Sequence, residues 1–108
     1  MDIDKVRGLK EERNEKLDKL VELGDENDQK FFKALRLLKA QSEKEEQRLI
    51  NEGVEQYGEK MLNWKKKISD KKHSLEGSYA VSNKKLVTEF FTAAERYNRE
   101  IKKLKEEE

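Results

Sequence analysis

Apolar residues recur along this chain at alternating spacings of three and four, the pattern of helices that each bury one stripe. The longest run is Ile50, Val54, Tyr57, Met61, Trp64 and Ile68, and a second follows at Val87, Phe90, Ala94, Tyr97, Ile101 and Leu104. Both read as coiled-coil seams. Folded back about a turn near residues 73–78, they pair Ile50 with Ile101, Val54 with Tyr97, Tyr57 with Ala94, Met61 with Phe90 and Trp64 with Val87. One register satisfies all of these layers, and a fragment covering residues 45–108 is expected to fold by itself. Trp64 falls at a d position and is expected in the core.

Upstream, Ile3, Val6, Leu17 and Leu20 share one heptad frame, with Lys10 and Arg13 on the same stripe. Gly24 is placed to take the left-handed conformation that closes a helix, and Asp25, Asn27 or Asp28 can cap the next one. Setting Leu17 opposite Leu38 and Leu20 opposite Leu35 brings Lys10 to Glu45. The pattern therefore predicts an all-α fold: a single domain over 1–108 made of antiparallel, coiled-coil-like helical hairpins that share a long central helix. The predicted helices are about 3–23, 28–73 and 78–105. Gly53 and Gly58 would each cost about 1 kcal/mol relative to alanine inside a helix. The apolar ladder keeps its phase through both, so three helices are expected, or four if the central one breaks at Gly53–Gly58.

Composition narrows this picture. With 33% apolar residues, 45% charged and no proline, the chain cannot build a thick core, and only its matched seams separate it from a disordered, highly charged chain. The absence of cysteine excludes disulfides, thiolate nucleophiles and cysteine metal sites. Met1-Asp2-Ile3-Asp4 lacks the basic and apolar regions of a cleaved signal, and no apolar run approaches the ~18 residues of a membrane span. The expectation is a soluble cytoplasmic protein with no membrane span, export without a cleaved signal being left open.

Candidate chemistry is sparse. His73 stands among lysines with no second histidine, and the Glu43/Glu46 and Glu52/Glu55 pairs lack the Glu-x-x-His motifs of carboxylate-metal bundles. Gly53-x4-Gly58 precedes Glu59 and Lys60 rather than the Lys-Ser/Thr of a phosphate loop. No catalytic, metal or cofactor-binding residue is expected, and the chain is not read as an enzyme.

What points to function is the set of apolar residues that miss the seams. Leu9, Val21, Phe32 and Leu37 in the first half, and Leu62, Leu86 and Phe91 in the second, cannot all lie between two helices. Phe32, Leu37, Leu86 and Phe91 are the candidates for contact with a protein partner or a second copy, and a homodimer is expected. The function predicted is that of a small helical interaction protein: an adaptor, an assembly component or a secretion accessory. The alternative is a nucleic-acid-associated protein using the lysine-rich stretch 60–85, with Lys65, Lys66, Lys67, Lys71 and Lys72 as its patch. The net charge of +1 and the lack of arginine in that stretch count against it. A cysteine-free helical chain of this length with a central tryptophan also resembles the small helical proteins that accompany type VII secretion. Their WxG turn is replaced here by Trp64-Lys65-Lys66, so no functional residue carries over.

Overall fold

The structure, a computed structural model, describes residues 2–107. It contains two α-helices, α1 over Ile3–Asn51 and α2 over Glu59–Glu106, and no strand among the described residues. The all-α expectation holds, but the boundaries move. Helix continues through Gly24–Asp28 and through 73–78, where turns were predicted, and the connection lies at 52–58 instead.

The physical reason is a repeat of eleven residues rather than seven. Along α2, Trp64, Leu75, Leu86 and Tyr97 form one such series and Ile68, Tyr79, Phe90 and Ile101 another. Along α1, Leu9, Leu20, Phe31 and Ser42 recur in the same way, as do Asn27, Leu38 and Leu49. Every one of these side chains is buried or half-buried. Eleven residues in three turns is 3.67 per turn, close to the helix's own 3.6, so each stripe stays on one face without a break. Gly24 and Asn27 are half-buried members of the α1 stripe, and the packing that runs on to Phe31 outweighs their local preference for a turn.

Asp2 starts α1, its Oδ1 accepting the Lys5 N–H at 3.2 Å. At the other end the Gly53 N–H donates to the Ile50 carbonyl and the Val54 N–H to the Leu49 carbonyl. Those two bonds with Gly53 at φ +82° make a Schellman closure, in which the left-handed residue is the one after the cap. Arg48 braces the same turn by bonding Glu45 on α1 and Glu52 at the start of the connection. The Arg48 hydrogen bond holds the Glu45 carboxyl below its usual range, so Glu45 is engaged within α1 rather than in the predicted pair with Lys10. The Gly58 carbonyl then accepts the Leu62 N–H to open α2.

The chain divides into two compact units. One comprises Asp28–Val81, and the other combines α1 up to Asn27 with α2 from Ser82. The Asp28–Val81 unit is a helical hairpin. Leu49 and Met61 flank its turn at 3% and 0% exposure. Further along, the Phe31 ring stacks on Tyr79 with centroids 4.2 Å apart, and the Tyr79 hydroxyl donates to Asp28 Oδ1. That hydrogen bond, with some burial, raises the Tyr79 hydroxyl above its ordinary pKa. In the terminal-half unit the two segments run antiparallel, with Arg13 Nη1 donating to Asn98 Oδ1 at 2.9 Å and with Val6, Leu20 and Ile101 buried.

The seams of the sequence reading are thus repartnered. Val54 and Tyr57 lie in the turn, where Tyr57 is 81% exposed, so the ladder from Ile50 to Ile68 is not one helical stripe. Val87 and Phe90 lie instead with Leu20, Val21 and Gly24 of α1, and Ile68 lies with Leu35 and Leu38. Trp64 is half-buried rather than in the core, and Met61 is buried beside the turn rather than opposite Phe90, which lies on the same helix.

Two glycine substitutions separate these arrangements. A Cβ at Gly77 would meet nothing within 4 Å, so Gly77→Ala should stabilise the chain by about 1 kcal/mol if residue 77 is helix interior. Gly53→Ala should destabilise it by about 1–2 kcal/mol, because the left-handed residue has moved there. Denaturant midpoints for the two variants report the signs, and reversed signs would return the turn to residue 77.

Candidate interaction surface

The two segments of the terminal-half unit touch along their stripes and leave their flanks open. On α1, Val21 follows Leu20 and so projects about 100° round the helix from the buried position. On α2, Phe91 does the same beside Phe90, and Val87 lies one turn before it. All three point to the same side and line one groove of about 290 Å³, with Leu20, Leu86 and Phe90 beneath them. Gly24 completes the α1 wall, and a Cβ there would meet nothing within 4 Å, so the wall has a gap. Phe91 is 60% exposed, Val21 51% and Val87 45%, which is unusual for large apolar side chains so close together. The Phe90 and Phe91 rings meet edge to face at 5.7 Å, which orients the Phe91 ring on the groove rim. At the end of the groove stands Asn83.

Of the four apolar candidates, Leu86 and Phe91 therefore meet in one place, Leu86 as half-buried floor and Phe91 as exposed rim. Phe32 and Leu37 do not meet. Both are exposed on α1, but five residues put them about 140° apart on opposite flanks of the Asp28–Val81 hairpin. Phe32 leans on the edge of Phe31, with centroids 5.5 Å apart. Gly24 and Val87 belong to the groove and were missed as site residues, Gly24 because it was read as a turn and Val87 because it was placed in a seam. Their signal was present in the spacing: Gly24 is three residues from Val21, and Val87 four from Phe91.

The alternative patch gains an unforeseen neighbour. Lys65, Lys66, Lys67, Lys71 and Lys72 are all exposed on α2. Lys72 shares a second groove with Leu35, Leu38, Ile68 and Lys39, so the hairpin brings the α1 cation Lys39 beside the α2 lysine Lys72. The lysines do not form a single face, however. Lys65 and Lys72, seven apart, share one flank, Lys67 and Lys71, four apart, share the other, and Lys66 points outward.

His73 is exposed in mid-helix, and no group of three metal-ligating side chains is assembled among the described residues. No helix among them is long and apolar enough to cross a membrane. Comparison with protein-family models, with curated proteins and with solved structures returns no match.

Proposed function

We propose that the chain is a helical interaction protein, of the adaptor or assembly-component kind, that docks a protein partner on the groove carrying Phe91. The observation behind this reading is the clustering of Val21, Val87 and Phe91 around the gap at Gly24. Covering a large apolar side chain contributes about 1.5–3 kcal/mol, and three adjacent ones give a partner a single hot spot to cover. The reading assigns no reaction. A photo-crosslinking residue at position 91 tests it directly, with position 89 as control because two residues carry it about 200° round α2. A protein adduct from 91 and none from 89 is expected in native cells. Adducts from neither position, or equally from both, contradict the reading.

A second reading rests on the lysines of α2, where Lys65, Lys66, Lys67, Lys71 and Lys72 face only Asp70 within their own stretch and Lys39 of α1 joins them beside Lys72. It takes a nucleic-acid backbone as ligand. Binding should then weaken steeply with salt, with a shallower slope after Lys65, Lys66 and Lys67 are changed to glutamine. The absence of salt-sensitive binding removes it.

A further inference from the structure

We infer that the occupant of the Phe91 groove is a second copy of this chain, docked groove to groove about a two-fold axis parallel to the helices. The inference rests on the reading of that groove as a docking surface and identifies what docks there. Such an axis lays α1 of one copy over α2 of the other at the same level. The large rim side chain, Phe91 on α2, then faces the rim that has the gap, Gly24 on α1. Bulk meets vacancy twice, once in each direction, as a two-fold interface requires. A two-fold axis across the helices would instead set α1 on α1 and α2 on α2, opposing gap to gap and phenylalanine to phenylalanine.

The charges on the two rims select the same geometry. Asp25 lies four residues beyond Val21 on the α1 rim, and Lys84 lies seven before Phe91 and three before Val87 on the α2 rim. Gly24 and Asn83, their chain neighbours, both line the groove, so Asp25 and Lys84 stand near one end of it on opposite rims. Both are exposed, and neither is in an ion pair among the described residues. The parallel axis brings Asp25 of each copy to Lys84 of the other. Exposed pairs of this kind contribute little affinity, but they decide between orientations, because the wrong one apposes like charges. A standard interface covers about 800 Å² on each partner, more than three side chains supply, so the dimer should be reversible at micromolar concentration.

Sedimentation of the full chain over a concentration series tests this, with circular dichroism as the control for folding. The mass should rise from 12.9 kDa toward twice that value. Phe91→Glu should hold the chain monomeric. Gly24→Leu should do so as well with helicity retained, since the gap has room for a side chain within one copy but not for the second copy's Phe91 as well. Asp25→Lys or Lys84→Glu alone should weaken the dimer about tenfold, and the two together should restore it. A chain that stays at 12.9 kDa while position 91 crosslinks to a different protein overturns the second copy as occupant and leaves the interaction reading standing. A monomer with no adduct at 91 removes both. A dimer indifferent to Gly24→Leu and to the charge exchange overturns the groove-to-groove geometry.

Discussion

Met61→Ala is expected to cost about 2–5 kcal/mol of folding stability, more than any other single truncation in the chain. Among the described residues Met61 is the one large side chain with no exposed surface, and with Leu49 it occupies the place where α1 and α2 meet beside the turn. Removing its thioether forfeits the transfer energy of the side chain and leaves a cavity that two helices pinned by a short connection cannot close. A domain of this size holds only about 5–15 kcal/mol in total. At roughly 4–8 °C per kcal/mol the melting temperature should fall by tens of degrees or the chain should fail to fold at all. Trp64→Ala should cost less although it deletes a larger group, because Trp64 is only half-buried. Thermal melts of the two variants give the order, and a larger loss for Trp64 would put the core at the wrong residue.

Residues 45–108 on their own should show no cooperative melting. In the structure the half of α2 that carries Leu86, Phe90 and Ile101 is covered by α1 residues before Asn27, including the buried Leu20 and Val6. That fragment keeps the turn and loses the covering segment. A highly charged helix without its apolar partner has only local propensity to hold it, and isolated helices are marginal in water. Supplying residues 1–44 in trans should restore part of the helicity. Cooperative unfolding of the fragment by itself would favour the pairing of Met61 with Phe90 that the heptad pattern suggested.

These two experiments bear on what the sequence made legible. Helical class and most of the buried stripe could be read from spacing alone: Leu17, Leu20, Leu38, Met61, Phe90 and Ile101 were all placed on seams, and all are buried or half-buried. Connectivity could not be read in the same way, because threes and fours that alternate locally are compatible with repeats of both seven and eleven. The distinction shows only across the positions that break the apolar pattern. Leu20 and Phe31 lie eleven apart with Gly24 and Asn27 between them, and Ile68 and Tyr79 lie eleven apart across Lys72 and His73. Local turn chemistry at Gly24 and Gly77 competed with that longer period and lost to tertiary packing. At Gly53 and Gly58 the ladder stayed in phase by coincidence, and the glycines were the true signal. For the groove, Phe91 was legible as an apolar residue off the stripe. Gly24 and Val87 carried only their spacing from Val21 and Phe91, which assigns them to a groove once it is known which α1 segment lies against which α2 segment.

The chain's reversal at residues 52–58 is the claim on which the groove and its partner geometry depend, and one distance tests it. The chain has no cysteine, so Lys39→Cys and Lys72→Cys together give two unique sites for spin labels. Both lysines line one groove of the hairpin, and their labels should lie within about 20 Å of each other. If α1 instead ran on through Gly53 and Gly58 as a central helix, the 33 residues between the two sites would separate them by about 50 Å at 1.5 Å per residue, and that result would contradict the account.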